Sequence, residues 1–291
     1  MAVSVKQYRT SAETWWCPGC GDFGVLAALQ RALAELNIEP HDVALIAGIG
    51  CSGKIGNYVN SYNLHVTHGR ALPAAMGVKL ANRHLTVVAA GGDGDGYGIG
   101  MGHFAHAIRR NIDVTYVVMD NQVYGLTKGQ TSPTSDYGFK TKVSLPNIEE
   151  PTRPCLSAVS LGATYVAQGF SSDVKQLVEL IKGGIKHPGF ALVNVFSPCV
   201  TYNAFNTYDW FRENLVNLDD LAPDDRHDPH DRDSAIQMLR AKDGWVRGLI
   251  YQDLNSRPFE DRIAGFGAKS VATSDLDLDE TLWNNMVREQ Q

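Results

Sequence analysis

Nowhere in the 291 residues does an apolar run approach the length of a membrane-spanning helix. The start, Met1 to Thr14, lacks a basic stretch leading into an apolar one, so no secretory leader is expected and the cytoplasm is the expected location. Positive charge is in short supply. The 26 Lys and Arg against 32 Asp and Glu leave a net charge of −6, which argues against nucleic acid as the main partner. No internal repeat is visible. Cysteine is scarce and odd in number, five in all, which argues against a secreted disulfide framework and for metal or redox use. The rest of the composition, 44% hydrophobic and 20% charged, is ordinary for a globular protein. The length suits one large domain, or one domain plus an appendage.

Glycine is what the chain has in quantity, and its densest stretch runs from Gly91 to Thr131. The apolar run Leu85 to Ala90 reads as a buried strand. Glycines and two aspartates follow, then a helix expected from about Ile99 to Arg110. A second buried strand, Asp113 to Met119, ends on Asp120 and Asn121. This is a βαβ unit, which brings its two strand ends together at the edge of a parallel sheet, where ligands bind. Glycines there let the backbone approach a phosphate, and the helix start supplies N–H donors. Asp93 and Asn121 offer hard oxygens to a magnesium ion, which takes few protein ligands besides phosphate oxygens. The glycines alone also allow a dinucleotide site or a purely structural turn.

Other strand-end loops repeat the pattern. The segment Trp15-Trp16-Cys17-Pro18-Gly19-Cys20-Gly21 holds two thiols within reach of one metal centre. It leads into a helix with Val25, Leu26, Leu29, Leu33 and Leu36 on one face, and Asp22 is its expected N-cap. By itself the thiol pair reads as a redox dithiol, half of a zinc site or half of an iron–sulfur site. The strand Val43 to Ala47 ends in Gly48-Ile49-Gly50-Cys51-Ser52-Gly53-Lys54, which adds a third thiol, a hydroxyl and a cation. The segment His65 to Arg70 precedes a helix from about Leu72 to Asn82, and Gly69 permits close ligand approach beside His68. After the central unit, Val123-Tyr124-Gly125-Leu126-Thr127 opens a glycine-punctuated loop whose donors suit a diphosphate. A strand at Thr164 to Gln168, a helix from Asp173 to Lys186 and a long apolar strand from Phe190 to Phe196 follow, the last running into Cys199. Cys155, in a short apolar helix, reads as a small buried residue. Past Val200 the chain turns aromatic and polar, then acidic with His and Pro between Asp219 and Asp233. Residues 201–291 are therefore expected to form a partly irregular extension to a domain spanning 1–200.

Taken together these elements resemble one family. Gly92-Asp93-Gly94, with Asn121 placed 28 positions beyond Asp93, is similar to the fingerprint of thiamine-diphosphate enzymes. Further matching pieces are Cys-Pro-Gly-Cys-Gly at 17–21, Gly-Cys-Ser-Gly-Lys at 50–54, His-Gly-Arg at 68–70, Gly-Asp-Gly-Asp at 92–95, the 121–132 loop and Cys199. Over about residues 10 to 210 the set resembles the β subunit of the 2-oxoacid:ferredoxin oxidoreductases. The resemblance implies an α/β fold with a parallel sheet and helices on both faces. It implies thiamine diphosphate held through Mg2+ on Asp93, Asn121 and the Val123 carbonyl. Ile49, Gly50, Cys51, Ser52, His68, Gly69, Gly92, Gly94, Asp95, Tyr124, Gly125, Leu126 and Thr127 would surround that cofactor. It also implies a 4Fe-4S cluster on Cys17, Cys20, Cys51 and Cys199. A structural zinc is the alternative for the same sulfurs, although zinc carries no electrons.

The implied reaction joins a 2-oxoacid, coenzyme A and oxidised ferredoxin to give an acyl-CoA, CO2 and reduced ferredoxin, or runs in reverse. His68 and Lys54 are the catalytic candidates, and Lys54 with Arg70 the candidates for holding substrate. The segments 50–57 and 65–82 resemble the 2-oxoglutarate branch, whose substrate carries a distal carboxylate in need of a cation. A glutamate for the aminopyrimidine ring is missing, as is a second βαβ set. In the family these belong to an α subunit with a pyrimidine-binding domain, so the chain is expected to be half of an enzyme assembled as a dimer of α–β heterodimers. Two further readings are a redox-silent thiamine decarboxylase half and a non-catalytic, zinc-stabilised subunit that binds phosphate.

Overall fold

In the computed structural model, which describes residues 2–263, 270–273 and 280–289, eight strands, the five expected ones among them, form one sheet. They are β1 (Val43–Ala47), β2 (Tyr62–His65), β3 (Thr86–Gly92), β4 (Thr115–Asp120), β5 (Tyr165–Phe170), β6 (Ala191–Phe196), β7 (Val216–Asn217) and β8 (Val246–Gln252). Their spatial order is β2-β1-β3-β4-β6-β5-β8-β7. Strands β1 to β6 pair in parallel, while β8 runs antiparallel to β5. Among the described residues the helices are α1 (Asp22–Glu35), α2 (Ala71–Ala81), α3 (Met101–Arg110), α4 (Pro154–Leu161), α5 (Val174–Lys186), α6 (Tyr208–Asn214), α7 (Arg232–Ala241) and α8 (Glu280–Glu289). None of them is long and apolar enough to cross a membrane.

The central strands read as continuous apolar runs because helices cover both faces of the sheet. Along β1, Val43 and Leu45 face a core with Leu29 and Leu33 of α1 and Leu177 and Ile181 of α5. Ala44 and Ile46 point the other way, into a core with Leu72 of α2, Phe104 of α3, Val159 of α4 and Leu239 of α7. Leu29 and Leu33 are fully buried, and each contributes about 1.5–3 kcal/mol of burial.

Three features depart from the sequence reading. The edge strand β2 was not expected: all four of its residues are exposed, so it carries neither an apolar run nor an alternation. Asp22 does not cap α1. Gly21 holds the cap position, and Asp22 begins the helix with its carboxylate buried. The segment after Val200 keeps irregular stretches but also contributes α6, α7, β7 and β8. Its Met238, Leu239, Val246 and Ile250 enter the main core, so tertiary burial supplies what a charged local composition does not advertise. Residues 264–269, 274–279 and 290–291 of the expected extension lie outside the described residues.

The topology sets the position of the site. From β1 the chain moves outward to β2, then returns to β3 on the other side of β1 and proceeds to β4. The loops leaving β1 and β3 therefore diverge, and a crevice opens above their carboxyl ends.

Candidate active site

The crevice is a cleft of about 120 Å³ walled by four strand-end loops. Ile49 to Ser52 follow β1, His68 follows β2, Gly92 to Asp95 follow β3, and Asn121 with Val123 to Thr127 follow β4. Almost all of the residues expected around a thiamine cofactor thus meet in one place. Gly69 does not line it. Its Cα region is packed against Ile99 and Gly100, and its N–H donates to Asp95 Oδ1 at 2.8 Å. Lys54 and Arg70 also stand outside the lining. The Lys54 ammonium lies 5.9 Å from the centre of the Trp15 ring, and Arg70 Nη1 donates to the His68 carbonyl at 3.2 Å.

At the floor of the cleft the β3 and β4 ends present Asp93 and Asn121. Asp93 is 2% exposed, and burial pushes its carboxyl above the usual carboxylate range. Thr134 Oγ1 lies 2.8 Å from Asp93 Oδ2. Asn121 Oδ1 accepts from Val123 N–H at 3.1 Å, across a Gln122 held at φ 58°, in the left-handed region. That turn folds Asn121 and Val123 to the same side, so both line the cleft with Asp93. One buried carboxylate and an amide oxygen, set where glycines admit a phosphate, fit a magnesium ion that also takes diphosphate oxygens.

Asp95 faces sideways. Its Oδ1 accepts from Ile49 N–H at 2.9 Å and Gly69 N–H at 2.8 Å, and lies 2.7 Å from His68 Nδ1. Tyr124 closes the opposite wall, where its hydroxyl donates to the Gly94 carbonyl at 3.2 Å. The Thr127 hydroxyl donates to Gln130 Oε1.

A second, smaller cleft of about 40 Å³ adjoins the first, lined by Trp15, Trp16 and the thiols of Cys17, Cys20, Cys51 and Cys199. The cysteines come from three places, and close packing joins them. A Cβ on Gly21 would stand 2.7 Å from the Ser197 Cα, so only glycine lets the Cys17–Cys20 turn lie on the end of β6 beside Cys199. Gly21 N–H then donates to the Pro198 carbonyl at 3.1 Å. Trp16 Nε1 donates to the Cys51 carbonyl at 2.7 Å and ties in the β1 loop. Burial pushes the Cys51 thiol up to about 11, assisted by Asp22 and by the neighbouring Cys199. Burial raises Cys20 further, with Asp22, Cys199 and Cys51 adding to it. Metal-free, Cys20 and Cys51 hold their protons. Among the described residues no three His, Cys, Asp or Glu side chains converge tightly enough to hold a single metal ion.

Cys155 lies elsewhere, on the buried face of α4 with its Sγ 3.2 Å from Gln168 Oε1. Sequence reasoning also passed over Thr134 and Asn203, and it read Asp22 only as a helix cap. Asp22 is buried with its Oδ1 accepting from Ser197 Oγ at 2.7 Å, and burial raises its carboxyl to about 6. Asn203 donates to the Asn121 carbonyl at 3.2 Å and so braces the metal-side turn from the C-terminal segment. Nothing local marks Thr134, Asn203 or the buried partnership of Asp22, because the partners are distant in sequence.

A strand-end cleft of this build on this sheet defines a thiamine-diphosphate-binding enzyme subunit. Residues 48–195 match the family model described as thiamine pyrophosphate enzyme, C-terminal TPP binding domain. Residues 199–268 match that of the C-terminal part of the pyruvate ferredoxin oxidoreductase beta subunit. The 2-oxoacid:ferredoxin oxidoreductase 2 subunit beta of Aeropyrum pernix is 42% identical, over 96% of this chain and 94% of that one. The 2-oxoglutarate synthase subunit KorB of Methanocaldococcus jannaschii is 44% identical, over 64% of this chain and 70% of its own. A solved 2-oxoglutarate:ferredoxin oxidoreductase from Magnetococcus marinus, with 2-oxoglutarate, coenzyme A and succinyl-CoA bound, is 40% identical. It superposes with a TM-score of 0.89, covering 99% of this chain and 96% of that one. The chain belongs to the β subunits of the 2-oxoacid:ferredoxin oxidoreductases.

Proposed function

We propose that this β subunit, with an α partner, interconverts 2-oxoglutarate plus coenzyme A and succinyl-CoA plus CO2, passing electrons to or from ferredoxin. The observation that carries the reading is the shared wall between the two clefts. Cys51, Asn121 and Gly125 line both. A Cβ on Gly125 would lie 3.6 Å from Cys51 Sγ and 3.7 Å from Cys199 Sγ, so the Gly125 backbone lies against both sulfurs at the boundary of the two clefts. A carbon-chemistry site beside a four-thiol site suits a reaction that must export electrons.

When bound, thiamine diphosphate supplies a sink for the electron pair left by CO2 loss, and a 4Fe-4S cluster carries electrons away singly. This chain's residues bind and position. Asp93, Asn121 and the Val123 carbonyl would hold Mg2+. His68, lining the cleft, would form a hydrogen bond at the reacting centre. Cys17, Cys20, Cys51 and Cys199 would hold the cluster. Four thiols lining one cavity offer the four ligands a 4Fe-4S cluster takes, and such a cluster, unlike zinc, carries electrons. The 2-oxoglutarate preference is supported by the names of the relatives and of the structural neighbour.

The test is an anaerobic assay of the α–β complex with ferredoxin, coenzyme A and several 2-oxoacids, together with iron and acid-labile sulfide analysis. The expected result is ferredoxin reduction fastest with 2-oxoglutarate, about four irons per β chain, and no turnover by the β chain alone. Decarboxylation without ferredoxin reduction, or zinc in place of iron, would contradict the reading. A preference for pyruvate would overturn the substrate.

A further inference from the structure

Asp95 sits among the residues of the cofactor cleft, but its hydrogen bonds run to the β1 and β2 loops and to His68. Its side chain is 1% exposed, whereas that of His68 is 38% exposed and lines the cleft. All three donors it meets converge on one oxygen, Oδ1: Ile49 N–H from the β1 loop, Gly69 N–H from the β2 loop, and His68 Nδ1. Oδ2 is buried and, among the described residues, has no hydrogen-bond partner. A Cβ on Gly48 would collide with the Asp95 carboxylate, so the β1 loop presses directly on it.

The ring orientation follows. Both amide N–H groups are fixed donors, so Oδ1 can only accept. The nitrogen 2.7 Å from it must therefore carry a proton, which leaves the Nε2 lone pair as the acceptor of the neutral ring. We propose that Asp95 is a positioning residue that acts through His68. It holds the imidazole as the Nδ1–H tautomer and keeps Nε2 available to the cleft as an acceptor for a substrate or cofactor proton. This rests on the reading of His68 as the group at the reacting centre.

Asp95→Asn separates this role from mere support. The amide oxygen keeps lone pairs for the two backbone N–H groups but carries no charge, so the charge-assisted hold on the His68 Nδ1–H is lost. The two backbone donors are fixed by their loops, so the freely rotating imidazole is the one released. The β1 and β2 loops stay stapled while the hold on His68 is lost. In the α–β complex, thiamine diphosphate affinity should remain within about threefold of wild type. The kcat should fall about tenfold to a hundredfold, the range for loss of a group that orients a functional histidine. In a His68→Ala background Asp95→Asn should cause no further loss of kcat, because the residue through which it acts is gone. The readout independent of activity is the 15N spectrum of the histidine-labelled β chain at a pH where the ring is neutral, with His68 identified by its absence in His68→Gln. Wild type should show the Nδ1–H form alone, and Asp95→Asn a mixture of tautomers.

Additive losses in the double variant would overturn the proposal. So would cofactor affinity falling in step with kcat, or an Nε2–H form in the wild-type chain. Wild-type kcat in His68→Ala would instead remove His68 from the reaction, and the spectrum would still decide whether Asp95 sets its tautomer. If Asp95→Asn fails to assemble, His68→Gln against His68→Asn carries the test. Gln places an amide near the Nε2 position and Asn near Nδ1, so Gln should retain the higher kcat, and the reverse order would overturn the proposal.

Discussion

Asp93 and Asp120 meet at one hydroxyl: Thr134 Oγ1 lies 2.8 Å from Asp93 Oδ2 and 2.8 Å from Asp120 Oδ1. A hydroxyl donates one proton, so it satisfies one carboxylate and leaves the other to bring a proton of its own. Asp120 is 1% exposed. Burial, with the charge of Asp93 next, pushes its carboxyl up to about 8. The candidate metal ligand is therefore backed by an acid that holds its proton in the metal-free chain.

A pH dependence of stability follows. Asp120 stands at 3.8 when unfolded and at about 8 when folded. Folding then takes up a proton between those values. The contribution is full below about pH 4 and is lost as the pH rises toward 8. Asp120→Asn cannot titrate and should lose nothing there. Melting temperatures of the cofactor-free chains, measured from pH 5 to 8, should show the variant gaining on wild type by several degrees as the pH rises, at roughly 2–4 °C per kcal/mol. A constant gap would show that Asp120 is ionised throughout.

Asp93→Ala removes the single carboxylate at the proposed magnesium position. Thiamine diphosphate affinity at millimolar Mg2+ should fall on the order of a hundredfold or more, about 2.7 kcal/mol. Titration calorimetry of the complex checks it, and unchanged affinity would move the metal elsewhere.

Each of Cys17→Ser, Cys20→Ser, Cys51→Ser and Cys199→Ser should lose iron and acid-labile sulfide, because thiolates are the ligands that hold such clusters. Cys155→Ser should keep both, since that thiol is turned to Gln168 on the buried face of α4. Retention of the cluster in Cys199→Ser with its loss in Cys155→Ser would reassign the fourth ligand.

Lys54→Ala tests substrate choice. If the ammonium pairs with the distal carboxylate of 2-oxoglutarate, the KM for that substrate should rise about tenfold to a hundredfold, and that for 2-oxobutyrate far less. Equal rises would mean that Lys54 serves by packing over Trp15, where it lies in this chain.

The fold class was legible because buried parallel strands write continuous apolar runs, and β1, β3, β4 and β6 do so with glycine or polar residues at their ends. The cleft was legible for the same reason. Its residues follow strands in short loops, so Gly92-Asp93-Gly94 and Asn121 could be placed side by side from spacing alone. The thiols of Cys17, Cys51 and Cys199 could be assigned to one edge, but not to one cavity: that took the close packing of Gly21 on Ser197. Tertiary structure alone decided which polar groups stand behind the site. Thr134 reaches Asp93 across 41 positions, and Asn203 reaches Asn121 across 82. It also turned Asp95 toward His68 and seated β8 against β5. Local sequence records the periodicity and turn chemistry of each segment, while a buried hydrogen bond is set by which segments the sheet brings into contact.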